Sequence, residues 1–419
     1  MSTDYLPRVV DDEVHTALGA VGAVLIEGPR ACGKTATGEA HTASQVRLDT
    51  DDGARELAAI DPRAVLDGPN PRLIDEWQLE PRLWNQVRKL VDDRRATGQF
   101  VLAGSSVPAD DATRHSGAGR ILRIRMRPMS LFESQHSAGT VSLSKILRGE
   151  IVQATSGGMP LDEVVERICV GGWPGLQSLD SATAQRVLAS YLDDVARVDV
   201  SALDGGTRRD PSRVRKLMTS LARNVSTEAS AASLARDSGD DGKPLWWETV
   251  QEYLAALERV MVVENQPSWG PHLRSRDVVR GAPKRHFVDP SLAAAALGAS
   301  PQRLRQDVKT LGFLFESLVI RDLRVYAQAF GGQVAHYRDS AGSEVDAVVT
   351  LSDGTWATIE VKLGVTQVDA AAASLERFVR KIDSATSGRP VARVVITAGE
   401  YAFTRPDGVA VVPLSLLGP

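Results

Sequence analysis

The stretch Glu27-Gly-Pro-Arg-Ala-Cys-Gly-Lys-Thr35 ("EGPRACGKT") places two glycines, with four residues between them, directly ahead of Lys34-Thr35. It follows a short apolar run, residues 22–27 ("GAVLIE"), and precedes a stretch with helical character. Strand, Gly-rich turn and helix in that order form the phosphate-binding loop pattern. Glycines let successive backbone N–H groups converge on one phosphate, and the helix that follows points its positive end at the same anion. On this reading Gly28, Pro29, Arg30, Ala31, Cys32 and Gly33 cradle the phosphates of ATP. Lys34 reaches the β- and γ-phosphates, and the Thr35 hydroxyl is a ligand of Mg²⁺.

A nucleotide hydrolase also needs a strand-end carboxylate near the metal and a group that activates water. "RLIDEW" at 72–77 supplies Asp75 for the metal and Glu76 for the water. "QFVLAGSS" at 99–106 is another apolar strand pattern, and its terminal Ser105 or Ser106 is placed to sense the γ-phosphate. Arg120 follows "HSGAG" and is a candidate for stabilising transition-state charge, in cis or in trans. A trans role implies a homo-oligomer. "RILRIRMRP" at 120–128 alternates as a half-exposed strand does. Strands alternating with helices predict a mostly parallel sheet, here a first unit at 1–137.

Residues 138–205 read as a helical connector. Residues 206–298 follow the order of a winged helix-turn-helix: "PSRVRKLMTSLARNV", "EASAASLARDSG", "ETVQEYLAALERV", then the strand-like "MVVENQ". Arg208, Arg209, Arg213, Arg215 and Lys216 could meet DNA phosphates. The third helix, however, begins "LWWETVQEY" with no Arg and only Lys243 ahead of it. A structural or partner-binding winged helix fits equally, with Trp246-Trp247 packing inside it.

From 299 to 419 the pattern is one long helix at 303–330, three strand-like runs, a helix near 367–384 and two more strands. Asp346 lies in the second run ("EVDAVV"). Glu360 and Lys362 in the third ("IEVKLG") share a face, because strand side chains repeat every two residues. With Glu316 on the helix, these match the D…ExK arrangement of restriction-endonuclease-like cores. There Asp346 and Glu360 would hold a second Mg²⁺ or Mn²⁺ and Lys362 would steady charge. An inherited but inactive core that only binds DNA or a partner fits the same residues.

Composition narrows the field. The net charge of −4 provides no global field for nucleic acid, so any such binding is local. Two cysteines and seven scattered histidines show neither a disulfide framework nor zinc spacing. The N-terminal "MSTDYLPRVVDDEV" is acidic and lacks an apolar core, unlike a signal peptide. No apolar run approaches the roughly 18 residues of a membrane span. A cytoplasmic protein without a membrane partner is expected.

"GPRACGKT", "LIDEWQ", "VLAGSS", "GRILRIRMRPMSLFE", "GGWP", "HFVDP" and "GFLFESLVIRDL" occur in an order that resembles a large prokaryotic family. Its members join an AAA-type ATP-binding domain to a C-terminal half of unassigned function. The resemblance spans nearly the whole chain and implies ATP binding in the first domain. The expected fold is α/β: a P-loop AAA-type ATPase domain, a helical winged-helix middle and a PD-(D/E)xK nuclease-like core. The expected activity is ATP hydrolysis that drives or gates action on nucleic acid. An ATP-switched scaffold, as in a defence or toxin–antitoxin system, is the alternative.

Overall fold

A computed structural model describes residues 5–104, 117–200, 210–239, 244–272 and 281–419. The N-terminal sheet contains β1 (Ala23–Glu27), β2 (Ser44–Arg47), β3 (Arg72–Asp75), β4 (Phe100–Gly104) and β5 (Ile121–Arg125). All pairs are parallel, in the order β2-β3-β4-β1-β5. β1 is apolar at successive positions because both of its faces are covered. Val24 and Ile26 pack on one side with Leu73, Val101 and Ala103. Ala23 and Leu25 pack on the other with Ile74, Phe100 and Leu102. The edge strand β2 is short and mostly polar (Ser-Gln-Val-Arg), which hides it from hydrophobic periodicity.

The middle is helical: Leu161–Val170, Ser181–Asp194, Pro211–Arg223, Ala231–Asp237, Trp247–Arg259 and Pro290–Leu297. Side-chain caps start several of these, including Asp180 on Thr183 N, Asp210 on Ser212 N and Ser230 on Ser233 N. After Trp247–Arg259 the chain forms an antiparallel ladder, Val263 opposite Phe287 and Gln266 opposite Lys284. Trp246 and Trp247 do not pack inside: they are 78% and 51% exposed. The buried face of that helix is Val250, Tyr253, Leu254 and Leu257, at helical spacing. Arg213 pairs with Asp210 and Arg215 with Asp193, so two of the expected phosphate-contacting arginines face acids. Arg208, Arg209 and Lys243 lie outside the described residues.

The single long helix expected at 303–330 is two helices, Pro301–Gln306 and Val308–Gln328. Asp307 leaves helical geometry (φ −110°, ψ 75°), and its carboxylate caps the second helix at Thr310 N, 3.1 Å away. The C-terminal sheet contains β8 (Gln333–Arg338), β9 (Glu344–Thr350), β10 (Trp356–Lys362), β11 (Ala392–Thr397), β12 (Tyr401–Thr404) and β13 (Ala410–Pro413). The connector adds an edge strand, β7 (Thr155–Ser156), giving the order β7-β12-β13-β11-β10-β9-β8. A second connector strand, β6 (Val141–Ser142), pairs in parallel with β14 (Leu417–Gly418). One face of this sheet carries an aromatic cluster of Trp269, Trp356, Tyr337 and Phe378, with Trp269 contributed by the middle region.

A continuous apolar core runs from Val24 through the middle helices to Leu417. A buried ionic knot lies within it. The Arg321 guanidinium sits 2.8 Å from Asp289 and 2.6 Å from Asp322. Asp289 also accepts from Gly172 N, and Asp322 from Leu131 N. Gly171 (φ 75°) is required beside it, since a Cβ there would lie 2.2 Å from Ser291 Oγ. "MSLFE", "GGWP", "HFVDP" and "VIRDL", far apart in the chain, therefore meet at one point.

Candidate functional site

The loop after β1 is shaped by its glycines. A Cβ on Gly28 would lie 2.2 Å from the Met126 carbonyl oxygen, and Gly33 has φ 106°. Lys34 is buried and donates from Nζ to the Gly28 and Pro29 carbonyls at 3.0 and 2.8 Å. Thr35 Oγ1 donates to Asp75 Oδ2 at 2.8 Å. Asp75 Oδ1 is buried and accepts no hydrogen bond. Burial pushes the Asp75 carboxyl above the usual carboxylate range, and the Thr35 hydroxyl partly offsets this. A buried carboxylate with a spare acceptor next to a threonine hydroxyl is a hard oxygen donor set that fits Mg²⁺. Glu76 follows with φ 52° and accepts from Gln78 Nε2.

Ser105 and Ser106 lie outside the described residues. Arg120 is at the wrong end of the sheet to act in cis. Its carbonyl accepts from Ala23 N, at the start of β1, whereas the loop follows the end of that strand. The intervening strand puts it roughly 15–20 Å away. Its side chain donates to Asp92 Oδ1 at 2.9 Å and to the Ala118 carbonyl.

Arg8 supports the loop from behind and carries no motif that would have revealed it. It is 7% exposed. Its guanidinium donates to the Cys32 carbonyl (2.9 Å), the Arg127 carbonyl (2.7 Å) and Glu133 Oε1 (3.0 Å). Arg127 in turn grips both carboxylate oxygens of Glu264, at 2.9 and 2.7 Å, and Arg324 and Arg125 lie beside the same acid. Burial opposes the charge on Glu264, but these arginines win and hold its pKa well below the usual range.

In the C-terminal half, Glu316, Asp346, Glu360 and Lys362 do come together, on the wall of a cavity of about 420 Å³ that Glu344 and Arg338 also line. The register of β8 against β9 shifts between Ala335 and Tyr337, which inserts an extra β9 residue around Asp346 and Ala347. Such a bulge re-aims side chains locally. Lys362 Nζ lies 2.7 Å from Glu360 and 3.5 Å from Asp346. Asp346 Oδ2 also accepts from Val361 N at 2.9 Å.

Lys284 was not foreseen. It is 1% exposed, and its Nζ lies 2.8 Å from Glu316, 2.9 Å from Glu344 and 3.4 Å from Asp346. Those acids raise its pKa further, although burial opposes the charge. Burial, reinforced by the Asp346 charge, pushes the carboxyls of Glu316 and Glu360 up to about 8. Burial would raise Asp346 too, but Lys284 and Lys362 hold it below the usual range. Among the described residues no three acids or histidines are arranged to hold a metal ion. Asp346 and Glu360, expected as a metal pair, do share this wall, and as folded the ammonium groups of Lys284 and Lys362 lie beside them.

No helix among the described residues is long and apolar enough to cross a membrane. Residues 21–135 match a family model described as an AAA domain. Residues 161–303 and 311–417 match two domains of unknown function, DUF8612 and DUF4143. No curated protein matches the chain. Among solved structures, a Walker-type ATPase of Pyrococcus abyssi is 13% identical over 70% of this chain and 97% of that one, with a TM-score of 0.44. A DNA replication initiation factor is 15% identical over 60% of this chain and 86% of that one, with a TM-score of 0.23. The chain is a mixed α/β protein with an AAA-type, P-loop ATPase-like domain at its N-terminus.

Proposed function

We propose that this protein binds and hydrolyses ATP at residues 28–35 and uses that cycle to act on nucleic acid through its C-terminal half. The observation that carries the first part is the Thr35–Asp75 hydrogen bond, with Asp75 Oδ1 left over and buried. Mg²⁺ held by Thr35 and Asp75 would neutralise phosphate charge. Lys34 would exchange the Gly28 and Pro29 carbonyls for β- and γ-phosphate oxygens. Glu76, at the strand end, would orient and deprotonate the attacking water. Steady-state ATP hydrolysis by wild type and Lys34→Ala tests this: undiminished turnover in the variant removes the site.

The nucleic-acid part rests on the order helix, three strands, helix, strand and on the convergence of Glu316, Asp346, Glu360 and Lys362. That order and those residues support a PD-(D/E)xK nuclease-like core. The ladder after three middle helices likewise supports a winged helix. A second reading, an ATP-switched scaffold with an inert core, is favoured by Lys284 among the acids. A cleavage screen on single- and double-stranded DNA and RNA, with Mg²⁺ or Mn²⁺ and with or without ATP, separates the two. Divalent-dependent cleavage supports the first reading, and its absence under every condition supports the second.

A further inference from the structure

Lys284 and Glu264 belong to the same small ladder. Lys284 and Gln266 exchange backbone hydrogen bonds at 2.9 and 3.0 Å, and Glu264 N donates to the His286 carbonyl at 2.9 Å. The segment therefore has two ends with different contacts. At one end Arg127 of the ATPase domain holds Glu264 by two guanidinium bonds, beside Arg324 of the helix Val308–Gln328, which donates to the Glu264 carbonyl at 3.0 Å. At the other end the segment enters the acid cluster twice. Lys284 Nζ reaches Glu316, Glu344 and Asp346, and Gln266 Nε2 donates to the Asp346 carbonyl at 2.9 Å. The link continues back to the phosphate-binding loop, because Arg8 bonds both the Cys32 carbonyl and the Arg127 carbonyl.

We propose that Lys284 is a built-in plug of the C-terminal acid cluster, carried on a ladder whose position the nucleotide state of the ATPase domain sets. This rests on the ATP-binding reading above and adds to it the regulation of the second site.

Charge and geometry favour a plug over a permanent structural pair. The ammonium sits among three carboxylates from two separate elements, Glu316 on the helix Val308–Gln328 and Glu344 and Asp346 on β9. A cation arriving from outside would be drawn to that position. Lys284 comes from neither element, so it can leave while β9 and the helix keep their own backbone hydrogen bonds, at the cost of the bonds that tie the ladder to β8 at His336 and to the helix at Ser317. The same cluster borders an open cavity, which gives an incoming ion or ligand a route. The loop offers the switching element: Lys34 now holds the Gly28 and Pro29 carbonyls, and a bound triphosphate would compete for that ammonium. Loop carbonyls released there are four and three residues from Cys32, whose own carbonyl Arg8 grips.

Hydrogen–deuterium exchange on the full chain, with and without a non-hydrolysable ATP analogue and Mg²⁺, tests the linkage. The expected result is protection at 28–35 together with altered exchange at 262–268, 284–288 and 344–346. In Glu264→Gln the loop should remain protected while the distant change is lost. Nucleotide effects confined to residues 5–135 in wild type overturn the inference while leaving ATP binding intact. No protection even at 28–35 removes the nucleotide reading and this inference with it.

Lys284→Met tests the plug itself. Leaving three carboxylates without their ammonium should lower Tm by about 5 °C or more. Mn²⁺ should restore much of that loss in the variant and leave wild type unmoved. An equal Mn²⁺ shift in wild type overturns the plug, because the cluster would already be open. If Lys284→Met does not fold, the wild-type exchange experiment still decides.

Discussion

The two polar sites of this molecule are built in opposite ways. The N-terminal site is a local object: eight consecutive residues, 28–35, turn between a strand and a helix, and a single outside acid, Asp75, completes the set. The C-terminal cluster is a long-range object, assembled from Lys284, Glu316, Glu344 with Asp346, and Glu360 with Lys362. In the first, backbone geometry sets the chemistry, and the one buried lysine rests on carbonyls. In the second, side-chain charge sets it, and two lysines rest on carboxylates. A local site can rearrange within a loop. A dispersed one changes when the elements that carry its residues move relative to each other.

Breaking the local site should have the largest effect. Lys34→Ala is expected to reduce ATP turnover by roughly 100- to 1,000-fold, as loss of one transition-state cation or donor commonly does. The far-UV spectrum and Tm should change little, because among the described residues the lysine's hydrogen bonds go to two loop carbonyls. Glu76→Gln is expected to slow turnover by about 100-fold with nucleotide affinity retained, since only water activation is removed. Fluorescent-nucleotide titration beside steady-state hydrolysis separates binding from turnover.

The dispersed region should reveal itself through pH. Burial first, and the nearby Lys284 charge second, push His336 down to about 4, against an ordinary value near 6.5. The unfolded chain therefore takes up a proton that the folded chain refuses. Stability should fall as pH drops from about 6.5 to about 4 and level off below that. The full loss is on the order of 3 kcal/mol. Urea melts followed by tryptophan fluorescence should show the slope, and His336→Gln should flatten it.

Two smaller effects sharpen the contrast. Asp346→Asn should leave ATP hydrolysis within about twofold of wild type, since a distant acid supplies no group to the loop. A tenfold loss would mean that the cluster acts back on turnover in the loop, beyond the shift of position that the ladder carries outward. Arg120→Ala should also stay within about twofold in a monomer, because Arg120 is bonded to Asp92 at the opposite end of the strands from the loop. Turnover that rises with protein concentration in wild type, and collapses in Arg120→Ala with affinity unchanged, would instead place Arg120 at a neighbouring subunit's loop.

The different construction of the two sites also explains what was legible in the sequence. The phosphate-binding loop and Asp75 could be read because strand, turn and helix are contiguous there. The D…ExK residues could be read because β9 and β10 are neighbours in sequence. Lys284 could not: it lies in "APKRHF", which looks like any basic surface segment, and only the ladder with Gln266 turns it inward. Arg8 sits in an acidic N-terminal stretch with no periodicity to mark it as buried. The break at Asp307 did have a signal, since Asp307 with Thr310 three residues later is a helix start inside a helical run. For Arg120 the motif gives order along the chain, whereas reach depends on which end of the sheet a residue occupies, and its place before β5 leaves the role in trans.

The short strands β6 and β7 decide where this protein can be divided. β7 covers β12 through Tyr401 opposite Ser156 and Ala402 opposite Thr155. β6 pairs Val141 and Ser142 with Leu417 and Gly418. Residues 138–160 thus belong with the chain's far end. A fragment beginning after residue 160 would carry a naked sheet edge flanked by Tyr401 and Phe403, a template for intermolecular pairing. A fragment beginning near residue 138 would bring its own edge cover. Two separately expressed pieces cut at these points should differ in solubility, although only about twenty residues distinguish them.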